Sequence, residues 1–353
     1  MLSFFKTKKV IGLDIGTSSI KAAELEVRGD TATLLSFGVA RTPGGVINGG
    51  EILEPVALST AVQNLVAELG TKRSVVSTGI WGSAVIIKKI SLPRMDPSLI
   101  GEQIRWEAEQ YIPFDINDIN LEFYVLKKPN QNPEAMEVLL IAAKKEIVFK
   151  YAEVVESSGL QCSILDVSSF ALANCFSFNY ELPQGAIAGL LDVGSGTTNF
   201  VVMDNAEIVF CRDIPVGGGT YTGEIQRNME MSAEEAEAMK ISSAQGQATP
   251  AQVQEVIAAT HEQVCDEIRR TYDFYVATGA DTQIQKLFVT GGAIGTPGLL
   301  ERISQTLQVP TEIFNPFANM KYDTRRFTPD YISGISNFSP VAIGLALRKM
   351  GDR

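Results

Sequence analysis

The chain has 353 residues, 45% of them apolar and 20% charged, which is the balance of a folded globular protein long enough for two or more domains. Its net charge of −11, with no long Lys/Arg run, argues against a nucleic-acid backbone as partner. One histidine, and four cysteines that never form a C-x-x-C, argue against a zinc site and fit a reducing, cytoplasmic compartment. The apolar run in Met1–Lys9 is too short for a signal peptide, and no stretch is long and apolar enough for a membrane span.

The first unit reads as strands Val10–Leu13, Ala22–Val27 and Thr33–Arg41, a helix over Ile52–Leu69 closed by Gly70, and a strand over Ser74–Ile80. Residues 85–158 read as a smaller inserted α+β module. It has a strand at Val85–Leu92, a helix at Pro97–Tyr111, strands at Asn120–Lys127 and Met136–Ala143 joined by a turn at Lys128–Pro133, and a helix at Glu146–Ser158. Trp106, Tyr111 and Phe114 read as core of that module, with groove-lining as the alternative. A strand at Ser163–Asp166 and an apolar helix at Ser168–Phe178 follow. A hairpin over Leu190–Met203 and a strand at Glu207–Pro215 lead into a helical block at Thr220–Asn228, Ala233–Ser242 and Ala251–Ala277. The chain then returns to a buried strand at Leu287–Thr290 and helices at Leu299–Leu307 and Ser339–Leu347.

Three glycine motifs punctuate this order. In Val10-Ile-Gly-Leu-Asp-Ile-Gly-Thr-Ser-Ser-Ile-Lys21 a buried strand ends in an aspartate and turns through glycine and hydroxyl residues. Such a turn lets backbone N–H groups approach an anion closely, although D-x-G turns also arise for structural reasons alone. Asp14 is placed to hold a metal or its waters, and Lys21 to reach back as a point charge. The same layout recurs half a chain later in Leu190-Leu-Asp-Val-Gly-Ser-Gly-Thr-Thr-Asn-Phe200, with Asp192 in the place of Asp14. Two such repeats suggest two similar domains gripping one phosphate from opposite sides. The third motif, Thr290-Gly-Gly-Ala-Ile-Gly-Thr-Pro-Gly-Leu299, sits at a strand-to-helix turn where a ring or ribose can lie against backbone.

In this order the motifs resemble the first phosphate, second phosphate and adenosine motifs of the actin/Hsp70/sugar-kinase superfamily. Asp166–Asn174 and Ser339–Leu347 resemble its two connecting helices. Ser91-Leu-Pro-Arg-Met-Asp96, Ile104-Arg-Trp-Glu-Ala-Glu-Gln-Tyr-Ile-Pro-Phe114 and Gly344-Leu-Ala-Leu-Arg348 are similar to the PilM family of type IV pilus assembly proteins, in the FtsA-like branch. The resemblance implies an α/β, actin-like (ribonuclease-H-like) duplicated fold with an FtsA-type 1C subdomain. It divides the chain into 1A (residues 1–84, 159–188 and 338–353), 1C (85–158), 2A (189–218 and 279–337) and a helical 2B (219–278).

It also implies an ATP-binding scaffold that takes the cytoplasmic N-terminal tail of PilN in a groove between 1A and 1C. That scaffold would couple the inner-membrane pilus platform to its motor. Asp14 and Asp192 would hold magnesium through water. Gly16, Thr17, Ser18, Ser19, Gly194, Ser195, Gly196 and Thr197 would cradle the β- and γ-phosphates, with Lys21 neutralising charge. Gly291, Gly292 and Ile294 would line the nucleoside, and Lys240 would touch adenine or ribose unless it is a solvated helix lysine.

Asp166 is the candidate to orient an attacking water, but it stands early in its segment, so hydrolysis is expected to be slow or absent. Thr220 and Glu224 either face the cleft or cap a helix. Glu234, Glu235 and Glu237 read as a solvated face, and His261 is given no role. The chain ends at Arg353, too soon for an amphipathic membrane helix of the FtsA kind, so membrane attachment is expected through partners. A small-molecule kinase and an FtsA-like filament former are the alternative readings.

Overall fold

The computed structural model describes residues 10–127, 133–278 and 283–349. Most of the turn expected at Lys128–Pro133 lies outside them. The chain opens with an antiparallel meander of β1 (Ile11–Ile15), β2 (Ser19–Arg28) and β3 (Thr31–Arg41). A small hairpin, β4 (Ile47–Asn48) and β5 (Glu51–Ile52), precedes α1 (Pro55–Leu69). Ile52 is therefore strand, and the helix begins where Pro55 can occupy its first turn without losing a hydrogen bond. Gly70 ends it in the left-handed conformation, φ 64°. β6 (Val75–Ile80) follows, parallel to β1.

The insertion comprises β7 (Val85–Pro93), α2 (Pro97–Tyr111), β8 (Ile119–Val125), β9 (Ala135–Lys144) and α3 (Lys145–Ser157). β10 (Gln161–Val167) and α4 (Ser168–Asn179) lead to the second meander, β11 (Ile187–Val193), β12 (Thr198–Asp204) and β13 (Glu207–Ile214). The helical block is α5 (Gly218–Met229), α6 (Ala233–Ala244) and α7 (Ala251–Ala277). The chain closes with β14 (Lys286–Thr290), α8 (Leu299–Leu307), β15 (Thr311–Ile313), β16 (Met320–Tyr322), α9 (Pro329–Ser336) and α10 (Pro340–Leu347).

Two sheets carry the molecule. One runs β10-β6-β1-β2-β3-β16 and the other β13-β12-β11-β14-β15. Without β16, both have one plan: a three-stranded antiparallel meander whose first strand pairs in parallel with a later strand, and that with another. The duplication seen in the motifs is thus a duplication of sheets. β16 pairs with β3 and covers an edge that would otherwise expose unpaired backbone. This corrects the assignment of all of residues 279–337 to the second half, because residues 320–322 return to the first sheet.

α4 and α10 lie in one core with residues of both sheets: Ala171, Phe176, Val341 and Leu345 pack with Leu25, Leu34, Leu190 and Phe288. The two helices touch at Gly344, where a Cβ would lie 1.8 Å from the Ala171 carbonyl oxygen. On its other side α10 meets β1, where a Cβ on Gly12 would lie 2.0 Å from the Ala342 oxygen.

The module is a three-stranded sheet, β7-β9-β8, with α2 on one face. Ile100, Ile104 and Ala108 of α2 point inward at i, i+4, i+8 spacing. Trp106 is two residues beyond Ile104, about 200° around the helix, and is 67% exposed. Tyr111 is 37% exposed beneath the Lys88 ammonium, which lies 4.4 Å from its ring centroid. Neither is core, which corrects the reading from the sequence; Phe114 is half-buried at the core's margin. The module boundary also shifts. α3 buries Ile147, Tyr151, Val154 and Val155 with α1 and the first sheet, so the insertion proper ends near Lys144, not Ser158.

Gly344→Ala should destabilise the protein by at least about 2 kcal/mol, because backbone rather than a movable side chain blocks the new methyl. Gly101→Ala, on α2 with no atom within 4 Å of a new Cβ, should stabilise by about 0.5–1 kcal/mol. Thermal melts of the two variants check the contrast.

Candidate nucleotide cleft

The two hairpins are built alike. In the first, Asp14 pairs with Lys21 and Ile15 with Ile20, and the turn is closed by Gly16 N–H donating to the Ser19 carbonyl at 3.1 Å. In the second, Asp192 pairs with Asn199 and Val193 with Thr198, and Gly194 N–H donates to the Thr197 carbonyl at 3.0 Å. The turns face each other, since a Cβ on Gly196 would lie 3.1 Å from the Thr17 hydroxyl oxygen. Between them opens a cavity of about 460 Å³, within the range of small-molecule sites.

Each turn is braced from behind. The Thr42 hydroxyl donates to the Gly16 carbonyl at 2.7 Å and its N–H to the Ser18 carbonyl at 3.1 Å. The Trp81 indole N–H donates to the Ile15 carbonyl at 3.0 Å, and its ring forms part of the cavity wall. In the second turn the Gly194 and Ser195 carbonyls accept from Gly218 N–H at 2.8 Å and Gly219 N–H at 2.7 Å. The triple glycine serves this approach, for a Cβ on Gly217 would sit 2.4 Å from the Gly194 oxygen. The Thr220 hydroxyl accepts from Gly217 N–H, and Glu224 pairs with Arg227; neither residue lines the cavity.

The cleft is rich in negative charge. Asp14 is 3.0 Å from the Lys21 ammonium. Asp192 keeps part of its surface toward the opening, but its carboxyl is walled in by protein. Burial pushes its pKa up to about 7; Lys21 opposes the rise, while Asp14 and Asp213 add to it. Burial also raises Asp213, whose carboxylate accepts from Gly82 N–H at 2.7 Å, Asn199 Nδ2 at 2.6 Å and the Ser169 hydroxyl at 3.5 Å. Two carboxylates at one opening, one of them held back from ionising, suit a hydrated divalent cation.

The third glycine loop, beside the second hairpin, offers room for a nucleoside. Gly291 has φ 102°, and a Cβ there would meet the Val193 oxygen at 2.3 Å. Gly292 borders the cavity with no atom within 4 Å of a new Cβ, so a side chain would fill ligand space rather than strike protein. Ile294, expected to line the nucleoside, is instead buried with Leu299 and Ile303, because the short turn at Gly292–Gly295 points it into the core. Ala293 and Thr296 line the cavity in its place. Lys240 is buried, not solvated: its ammonium donates to the Gly218 carbonyl at 3.1 Å and the Thr222 hydroxyl at 3.0 Å, and it lies 2.7 Å from Glu237. Glu237 also lines the cavity. Its spacing of three residues from Lys240 was a sign that both share one helix face.

Asp166 does not reach the cavity. It is buried at the end of β10, paired with Arg348 at 3.2 Å and accepting from its neighbour Val167 N–H at 2.8 Å. From α4 the cavity receives Ser168, whose buried hydroxyl has no hydrogen-bond partner among the described residues. His261 has a structural task. Its Nε2 bonds the Pro297 carbonyl at 2.9 Å and its Nδ1 the Tyr221 hydroxyl at 2.8 Å, tying α7 to the third glycine loop. Burial lowers its pKa.

The raised Asp192 pKa has a consequence for stability. Its folded value lies above its unfolded value near 4, so its contribution is fully present below about pH 4 and is lost as pH rises through about 7. Asp192→Asn should remove that dependence. Between pH 4.5 and 7.5 the parent should lose roughly 2 kcal/mol relative to the variant, a figure discounted for partial solvent exposure. Denaturant titrations at the two pH values check it.

A family model described as type IV pilus assembly protein PilM matches residues 12–350. A solved PilM–PilN type IV pilus biogenesis complex superposes with a TM-score of 0.87 at 28% identity, covering 96% of this chain and 98% of that one. Cell division protein FtsA of Enterococcus hirae is 25% identical over 88% of this chain and 79% of its own length. MreB 5 of Spiroplasma citri bound to AMPPNP shares the fold at a TM-score of 0.50 and 14% identity, covering 96% of this chain and 95% of that one. With its duplicated sheets and paired hairpins, the chain has the actin-like ATPase fold and belongs to the PilM family of type IV pilus assembly proteins.

Proposed function

We propose that the chain holds ATP and magnesium between its hairpins and works as a nucleotide-dependent scaffold in pilus assembly. The observation that carries this reading is the convergence of two duplicate hairpins on one cavity. Gly16, Thr17, Ser18 and Ser19 on one side, and Gly194, Ser195, Gly196 and Thr197 on the other, would offer backbone and hydroxyl donors to the β- and γ-phosphates. Asp14 and Asp192 would bind the waters of a magnesium ion, which when bound offsets phosphate charge, and Lys21 would add a cation. Gly291, Gly292, Ala293 and Thr296 would accept the nucleoside, with Glu237 and Lys240 offering an acceptor and a donor to the ribose. AMPPNP in the MreB 5 structure supports the nucleotide class.

Holding is favoured over hydrolysis. Asp166, the expected water-orienting carboxylate, is occupied by Arg348, and α4 presents only the Ser168 hydroxyl to the cavity. Without a positioned base, turnover falls by a factor on the order of 10²–10⁴. Among the described residues no helix is long and apolar enough to cross a membrane. Attachment on the cytoplasmic side of the inner membrane would come through a partner. The relative solved with PilN supports a PilN-type cytoplasmic tail, received in the groove between the first-sheet unit and the inserted module.

Asp192→Ala should weaken ATP–magnesium binding at least about tenfold, some 1.4 kcal/mol; an unchanged affinity in calorimetry would remove Asp192 from the site. Asp166→Asn should leave ATP turnover at the parent level while lowering stability by about 3 kcal/mol through loss of a buried ion pair. Reduced turnover with intact stability would restore Asp166 to catalysis. A synthetic PilN tail should be captured in preference to a scrambled one, with a yield that changes when ATP is added; equal capture of both peptides would refute the partner.

A further inference from the structure

We infer that the inserted module is a strut spanning the two halves, held at its far end by the Glu207 carboxylate, so that its position reports how far the cleft is closed. The inference rests on the reading of the cleft as a nucleotide site.

The module is fixed to the first half where it leaves the sheet. Beyond β9 the chain enters α3, where the Tyr151 hydroxyl donates to the Gly50 carbonyl at 3.1 Å, the Ser158 hydroxyl to the Ser59 carbonyl at 2.9 Å, and Lys150 pairs with Glu51 at 3.0 Å. The module also meets the second half. On the sheet face away from α2, Ile87 packs against the core that contains Cys211, and β7 lies against β13. At the edge strand β8, the Tyr124 hydroxyl donates to Glu207 Oε1 at 3.0 Å, and Lys127 N–H donates to the same carboxylate at 3.1 and 3.2 Å.

Glu207 begins β13, the edge strand of the second sheet. Asp213, six residues on in the same strand, accepts from Gly82 N–H, directly before the module. Gly82 packs closely on the first half: a Cβ there would lie 2.1 Å from the Gly49 oxygen. Asp213 is joined in turn to Asn199, a cavity residue opposite Asp192 in the hairpin. β13 thus meets the insertion at both its ends, and one end leads to the cleft wall. A ligand that draws the hairpins together moves β13 against α3. A module fixed to both halves cannot follow both, and its hold on the second half, the Ile87 contact and the Tyr124 and Lys127 hydrogen bonds to Glu207, is smaller than its anchorage through α3 and is the one that shifts.

Hydrogen exchange of the full chain with and without ATP–magnesium tests this. In the parent, the hairpin peptides 14–21 and 192–198 should be protected, and peptide 119–127 should change its exchange rate at least about threefold. In Glu207→Ala the hairpins should still respond while 119–127 should not; Tyr124→Phe, a milder change, should give a reduced response. If the parent's hairpins respond and 119–127 does not, or if 119–127 responds equally in Glu207→Ala, the strut is wrong and the nucleotide site stands. If the hairpins do not respond, the nucleotide reading falls and the strut falls with it.

Discussion

Asp14 and Asp192 stand at the ends of two buried strands and bring two carboxyl groups to one opening that holds the single Lys21 ammonium. Much of the molecule follows from that constraint. The carboxylates can sit there only because each hairpin is braced by uncharged groups: the Thr42 hydroxyl, the Trp81 indole, and the N–H groups at the start of α5. One carboxylate is held back from ionisation by burial.

The hairpins were legible in the sequence because their determinants are local. An aspartate at a strand end, a glycine at the turn and hydroxyl residues beyond it are consecutive, and their geometry depends on little else. The superfamily resemblance rested on the same consecutive residues, and the PilM resemblance on Ser91–Asp96, Ile104–Phe114 and Gly344–Arg348. What the sequence concealed was tertiary. Trp106 reads as core because it is aromatic on an amphipathic helix, yet the inward stripe is set by Ile100, Ile104 and Ala108. Ile294 and Asp166 stand at the right places in their motifs but turn away, one into the second core and the other to Arg348 far along the chain. Glu237 looked like one of three solvated acids until the fold set Lys240 and the cavity beside it.

The two halves share a strand order but not a wiring. The first sheet is interrupted by the module between β6 and β10, while the second carries its helical block between β13 and β14. Each insertion departs near the cleft, so both lie where movement of the hairpins would be felt. Trp81 and Gly82 link the cavity wall to the module, and Lys240 links it to the helical block. One cleft is thereby connected to both insertions.

The return of β16 and α10 to the first sheet also bears on how the chain acquires its structure. Met320 pairs beside Ala32, and Ala342 lies against Gly12, so the N-terminal sheet lacks an edge and part of its core until almost all of the chain is present. The second sheet draws all five strands from Ile187–Ile313 and can assemble from contiguous sequence. During synthesis the half that emerges later is therefore the one able to fold first. The N-terminal half, although made earlier, must wait for the last helix, and it is the part of the molecule most exposed to misassembly in the interval.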